Sequence, residues 1–295
     1  MIASKHNAMK ILVTGSNGQL GNEIGMLRSA YPSYEFLLTD LAELDITNEQ
    51  AIDELFSQYK PAVVINCAAY TAVDKAEQEE KIAFLINSSA VGNLARAASK
   101  HHALLVHIST DYVFDGKNHR PYVENDPTNP VSMYAKSKHA GEQQIHSFAN
   151  NALIIRTSWL YSEFGLNFVK TIMKYGKERG KLNVVFDQVG TPTYAHDLAK
   201  VILDIVEKQT ISAGVEIFHF SNEGVTSWYD FAKAIVEFSG IDCRINPIET
   251  KDYPLPAARP YYSVFNKSKI KERFQIEIPF WRDSLRKCME RMTSE

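Results

Sequence analysis

Five short, unbroken apolar runs, at residues 10–14, 35–39, 62–66, 104–108 and 152–156, alternate with amphipathic segments through the first half of this chain. A strand covered on both faces needs such a continuous run, whereas a strand with one wet face alternates. The intervening segments at 20–29, 48–58, 82–100 and 134–148 carry helical spacing. Strands and helices in strict alternation predict an α/β chain with a doubly wound parallel sheet, whose ligands sit beyond the carboxyl ends of the strands. The second half is less regular. Helices are expected at 168–178, 194–208, 227–239, 267–274 and 280–292, and strands at 183–186, 216–220 and 244–247. Residues 252–260 hold three prolines and cannot be a helix interior, so they read as a surface or binding loop.

Several function classes are excluded by composition. A net charge of −3 with no basic run or stripe gives no electrostatic case for nucleic acid or an anionic membrane. The three cysteines, Cys67, Cys243 and Cys288, have neither metal-ligand spacing nor an even count for a disulfide framework, which fits a reducing compartment. No apolar run reaches the length of a membrane span, and residues 1–8 contain no apolar signal core and read as a tail. A cytoplasmic protein is the expectation.

The first apolar run ends in Gly15-Ser16-Asn17-Gly18-Gln19-Leu20-Gly21. Glycines after a strand let the turn tighten and bring its backbone N–H groups, at a helix N-terminus, against a pyrophosphate. The spacing is G-x-x-G-x-x-G rather than G-x-G-x-x-G, so its strand-turn-helix setting carries the reading. Asp40 lies 19 residues beyond Gly21, at the end of the second strand, where an acid would bond an adenosine ribose. With no arginine nearby it would repel a 2′-phosphate, so NADH is favoured over NADPH. Asp45, before Ile46, is placed to reach the adenine edge. Ala68 and Ala69, before Tyr70, leave room for a cofactor to lie flat. On this basis residues 9–161 with about 186–222 form a Rossmann-type dinucleotide-binding domain. About 162–185 with 223–295 form a smaller C-terminal substrate domain.

Tyr134 and Lys138 stand one helical turn apart, after Pro130-Val131-Ser132-Met133. A phenol titrates near ~10. An adjacent ammonium is expected to lower that value, so the phenol can give its proton to a carbonyl oxygen as hydride reaches the carbon. The same lysine can hold the nicotinamide ribose. Thr110, at the tip of the fourth strand, would orient the same oxygen. The chain has 14 tyrosines, so one Tyr-x-x-x-Lys is expected by chance. Tyr229 and Lys233 repeat the spacing in a helix that follows no Ser/Thr strand tip, and that pair reads as structural.

The glycine turn, Ser109-Thr110-Asp111 and Tyr134-x-x-x-Lys138 resemble the extended short-chain dehydrogenase/reductases. The stretches 66–77, 109–116, 156–161, 187–193 and 258–260 bring the likeness closest to the branch that reduces the 4-keto group of a dTDP-linked deoxysugar, and it runs from Met9 to the C-terminus. The resemblance implies Tyr134 as proton donor with Thr110 and Lys138 as partners, and a nucleotide sugar as substrate. It implies that Thr110 and Asp111 touch the sugar, that Trp159 packs on its ring, and that Asn167 and Arg259 hold the diphosphate. Gly18, Gln19, Leu20, Asp40, Asp45, Ile46, Ala68, Ala69 and Tyr70 match the family's contacts to NADH or NADPH. Some members join subunits through Mg²⁺ held by glutamates. Glu23 matches one such position, but His196 replaces a second, and imidazole is a poor Mg²⁺ ligand. No metal is assigned, and the expectation is a monomer or a homodimer without a metal bridge. Two alternatives share the scaffold. A nucleotide-sugar dehydratase or epimerase is disfavoured because Asp111 is followed by Tyr112 rather than by a second acid. A non-catalytic subunit resembling the methionine adenosyltransferase β-subunit is disfavoured by the intact Thr110, Tyr134 and Lys138.

Overall fold

A computed structural model describes residues 8–208 and 213–293, so residues 1–7 of the expected tail lie outside the described residues. The first half runs β1 (Met9–Thr14), α1 (Gln19–Leu27), β2 (Tyr34–Thr39), α2 (Glu49–Tyr59), β3 (Val63–Asn66), α3 (Glu80–Phe84), α4 (Ala90–Lys100), β4 (Leu104–Thr110), α5 (Met133–Phe148) and β5 (Asn151–Thr157). The second half runs β6 (Leu160–Tyr161), α6 (Phe168–Arg179), β7 (Lys181–Val185), β8 (Val189–Gly190), β9 (Thr193–Tyr194), α7 (Ala195–Lys208), β10 (Gly214–His219), β11 (Thr226–Ser227), α8 (Trp228–Ser239), β12 (Arg244–Ile248), α9 (Ser268–Phe274) and α10 (Trp281–Thr293).

Six parallel strands make the central sheet, in the order β10-β5-β4-β3-β1-β2. The chain steps outward from β1 to β2 and then returns past β1 to β3, so the order reverses between β1 and β3. In a doubly wound sheet the crevice at that reversal is where ligands bind. Alternate residues of the strands feed two cores. Ile11, Val13, Ile65 and Val106 point to one face, where Ile24, Leu198, Ile202 and Phe218 cover them. Leu12, Val64, Leu105 and Ile154 point to the other, beneath Ile52, Phe56, Leu94 and Ile145.

A third core lies apart from the sheet and gathers Tyr161, Val169, Ile172, Phe231, Ile235, Trp281 and Leu285 around the β7–β12 pair. One element departs from the expected division. α9, placed by sequence in the substrate domain, packs on the sheet, where Ile270 and Phe274 join the first core and Phe274 meets Phe218 at 5.1 Å. The apolar spacing of 267–274 identifies a helix but not the face it seeks.

The helix expected at 82–100 is broken. Between α3 and α4 the turn Leu85–Ser89 widens to a π-helix. It carries Asn87, whose side chain accepts from Tyr70 N at 2.8 Å and donates to Tyr70 O and Ser137 Oγ, each at 3.0 Å. Gly141 of α5 makes this approach possible, since a Cβ there would fall 2.1 Å from Asn87 O. Among the described residues no helix is long and apolar enough to cross a membrane.

Candidate active site

The glycine turn opens at the switch point between β1 and β3. Gly15 has φ +67°, and a Cβ on it would lie 2.5 Å from Ala68 N, so only glycine lets β1 and the segment after β3 meet there. A Cβ on Gly21 would strike Gly15 O at 2.4 Å. α1 starts at Gln19 with Gly18 as its N-cap and no side-chain cap bond, so the first N–H groups of the helix have no capping oxygen. A groove of about 600 Å³ runs from this turn. It brings together Gly15, Gly18, Asp40, Asp45, Ile46, Ala68 and Ala69, and adds Leu44, Leu85 and Ile86, which no motif marks. This glycine cradle with an open helix N-terminus and an acid at the far lip fits a dinucleotide.

Six of the expected cofactor residues, Gln19, Leu20, Gly21, Tyr70, Tyr134 and Lys138, sit outside the groove lining. Leu20 is buried in the first core, and Gly21 serves the close packing of the turn. Gln19 spans the two halves, donating to Leu160 O at 3.5 Å and accepting from Asn167 Nδ2 at 3.0 Å. Tyr70 gives its hydroxyl to Glu79 Oε2 at 2.5 Å. For Leu20 and Gly21 the backbone alone is left to face a ligand.

α5 begins with Ser132 capping Ala135 N at 3.2 Å, which fixes the first turn that carries Tyr134. Tyr134, Lys138 and Glu142 then follow at one-turn spacing on the face toward β4. Thr110 ends β4, buried, with its hydroxyl donating to Asp111 Oδ1 at 3.0 Å and hydrogen-bonded with Tyr134. The expected effect of Lys138 on the phenol is corrected by the structure. Lys138 Nζ turns away, donating to Ile108 O at 2.7 Å. Burial, with the Asp111 charge, pushes the Tyr134 phenol up to about 12, against the Thr110 bond that pulls it down. Burial also pushes the Lys138 ammonium down to about 8, against Glu142 and Cys67. The phenol is therefore held protonated at neutral pH, the state a proton donor requires. Asp111 is itself pushed up to about 7 by burial, against hydrogen bonds from Ser263 and Thr110.

A second cavity, about 820 Å³, lies between α6, the β7–β12 pair and the proline-rich loop. Phe168, Tyr175, Trp228 and Tyr253 give it aromatic walls, and Arg179, Lys181 and Arg259 give it positive charge. Arg259 forks onto Asp74 at 2.7 and 3.0 Å, which holds the loop against the segment after β3. The Arg259 charge also bears on the buried, neutral Tyr112 phenol, whose ring meets Tyr134 edge-on at 5.6 Å, so this end of the cavity lies toward the reacting groups. Asn167 is differently used. Its side chain caps α6 at Lys170 N and donates to Gln19 and Ser162 O, and it does not line the cavity. Trp159 sits at φ +49° with its ring stacked on Trp228 at 3.6 Å and so close to Gly190 that a Cβ there would fall 2.8 Å from it; it does not line the cavity. The cavity residues on α6, α8 and β7 escaped the sequence reading because each is an ordinary amphipathic position until the third core assembles.

Glu23 does not fit a divalent cation. Its Oε2 takes His196 Nδ1 at 2.9 Å and lies 3.5 Å from Arg291 of α10, which also binds Glu163 at 2.8 Å. The His196 ring and the Arg291 guanidinium already occupy the places at these carboxylates that further metal ligands would need. Among the described residues no group of three His, Cys, Asp or Glu is placed to hold a metal ion.

Comparison with known proteins identifies the family. The model of the RmlD substrate binding domain family matches residues 9–294. A dTDP-4-dehydrorhamnose reductase of Aggregatibacter actinomycetemcomitans is 41% identical over 285 residues, 94% of this chain and 97% of that protein. The crystal structure of a dTDP-4-dehydrorhamnose reductase from Clostridium acetobutylicum superposes with a TM-score of 0.91 at 44% identity, covering 97% of this chain and all of that one. The same enzyme from Bacillus anthracis, in complex with NADP, also gives 0.91, at 37% identity over 96% and 99% of the two chains.

Proposed function

This chain belongs to the RmlD substrate binding domain family, and from that premise we propose that it is an NAD(P)H-dependent reductase converting dTDP-4-dehydro-L-rhamnose to dTDP-L-rhamnose. The observation that supports the reading is the convergence of Thr110, Tyr134 and Lys138 at the end of β4, with Lys138 on the Ile108 carbonyl and Tyr134 edge-on to Tyr112. Gly15, Gly18, Asp40, Asp45, Ile46, Ala68 and Ala69 would hold the dinucleotide, with the ribose beside Lys138. When bound in reduced form, it supplies the hydride that adds to the 4-keto carbon.

The protein's own part is to bind, orient and protonate. Thr110 and Tyr134 address the carbonyl oxygen together. As negative charge develops on that oxygen, Tyr134 passes its proton to it. Burial keeps the donor from ionising beforehand. In the aromatic cavity Trp228 and Tyr175 suit a nucleotide base, while Arg179, Lys181 and Arg259 suit its phosphates. Trp159 and Asp111 are assigned to the sugar; Asn167 acts through its hold on Gln19. A cytoplasmic enzyme, monomeric or a homodimer without a metal bridge, completes the reading.

The test follows NADPH and NADH absorbance on addition of dTDP-4-dehydro-L-rhamnose. Rapid oxidation is expected, and Tyr134→Phe should lower kcat by at least ~100-fold while leaving cofactor binding intact. Wild-type turnover in that variant would remove the phenol from the chemistry.

A further inference from the structure

Beneath the reacting pair runs a row of polar side chains that the reduction does not use directly. Strand register sets Thr14 of β1 beside Asn66 of β3, and Asn66 beside His107 of β4, all three buried. Each proton along the row can be placed. The Ala68 backbone N–H, which can only donate, reaches Asn66 Oδ1 at 3.1 Å, and the Thr14 hydroxyl donates to the same oxygen at 2.7 Å. The Asn66 amide nitrogen therefore faces His107 Nδ1, 3.0 Å away, as the donor. Burial keeps this imidazole neutral. A neutral ring that accepts at Nδ1 carries its proton on Nε2.

That Nε2–H points at Lys138 Nζ, 3.4 Å away. An ammonium has three protons to place and no lone pair, so His107 offers it a donor where it needs an acceptor. Ile108 O is the acceptor given to it, at 2.7 Å. The other groups facing the lysine do not replace the missing one. Glu142, one turn along α5, is committed to Arg156 and Ser109. Cys67 is held as a thiol by burial, and Tyr134 as a phenol.

We propose that His107 is a positioning residue for the reduction: fixed by Asn66 with its proton on Nε2, it denies Lys138 a second acceptor, so that binding of the dinucleotide, whose ribose hydroxyls supply one, draws a proton from solvent onto the lysine. The inference rests on the proposed placement of the nicotinamide ribose beside Lys138. Its sign follows from the free lysine titrating near 8. Below that pH the group is already charged and binding takes up nothing. Above it each binding event must bring a proton, so affinity falls by up to tenfold per pH unit.

The test is NADPH affinity between roughly pH 7 and pH 10, with proton uptake read by an indicator dye in weak buffer. Uptake approaching one proton per NADPH is expected near pH 9. His107→Gln offers an amide free to turn its oxygen to the ammonium, and there uptake should vanish and affinity should stay flat through that range. The same break and the same uptake in His107→Gln would reduce His107 to packing. Should that variant fail to fold, nitrogen NMR of the wild-type histidines decides, since a proton on Nδ1 of His107 overturns the proposal. A wild-type protein that binds neither NADPH nor NADH at any pH would instead overturn the reductase reading itself.

Discussion

Asp40 shows how one carboxylate can select between two cofactors. Its Oδ2 accepts from Asn17 N at 2.9 Å and its Oδ1 from Leu41 N at 2.8 Å, which fixes the negative charge at the lip of the dinucleotide groove. A ribose hydroxyl can donate to such an oxygen, whereas a 2′-phosphate meets a like charge. Two charges about 4 Å apart in water repel by about 1 kcal/mol, or roughly fivefold in affinity. Asp40→Ala should therefore improve NADPH relative to NADH by about that factor, read as the ratio of dissociation constants from fluorescence quenching. An unchanged ratio would place the carboxylate away from the phosphate. The position of Asp40 was legible because a strand end and a glycine turn fix it. The ionisation of Tyr134 was not, because it is set first by burial and the Asp111 charge, while Lys138 Nζ is taken up elsewhere. The lysine's direction is set by the Ile108 carbonyl on another element, which no spacing along α5 reveals.

At the level of elements, α5 is held to the sheet by a buried ion pair as well as by apolar packing. Glu142 receives Arg156 of β5 at 2.9 and 2.7 Å and Ser109 of β4 at 2.5 Å, and both charged side chains are almost fully buried. Arg156 also lies over the Phe114 ring at 5.1 Å. These contacts hold the Glu142 carboxyl well below its ordinary range despite burial. Removing one partner strands the other charge, a loss of about 3–5 kcal/mol. Glu142→Ala should lower Tm by roughly 6–10 °C in calorimetry, at about 2 °C per kcal/mol. A double replacement, Glu142→Leu with Arg156→Met, should recover most of that loss. Equal damage from the double variant would show that the pair matters for shape rather than for charge. The sequence displayed α5 as an amphipathic helix but hid this pairing, just as it hid the π-turn at Leu85–Ser89. No proline or glycine marks that turn. Its cause lies across the interface, in the bare Gly141 that lets Asn87 reach Ser137 and Tyr70.

Across the whole molecule, buried histidines that must remain neutral couple the fold to acid. His219 ends β10 under α9, stacked on Phe265 at 4.3 Å, with Nδ1 donating to Tyr122 O at 3.1 Å. Burial pushes it down to about 3, with help from Arg156, and pushes His107 well below its ordinary value. Unfolded histidines titrate near ~6.5, so the unfolded chain binds protons that the folded chain refuses. The stability these residues contribute is complete above ~6.5 and is lost as pH falls from there through the folded values. Each histidine can contribute a slope of up to about 1.4 kcal/mol per pH unit in that window. The urea midpoint should hence be flat above about pH 7 and decline below it, before carboxylate protonation begins. His219→Phe isolates one share of the slope. Phenylalanine keeps the edge-on contact with Phe114 and the stacking on Phe265, and the Tyr122 carbonyl retains the Asn266 N–H at 2.8 Å. The decline between roughly pH 6.5 and 4.5 should become shallower by about 1.4 kcal/mol per unit in the variant. If its midpoint tracks the wild type through that window, His219 takes up its proton inside the folded protein, and the acid sensitivity must come from His107 and the carboxylates.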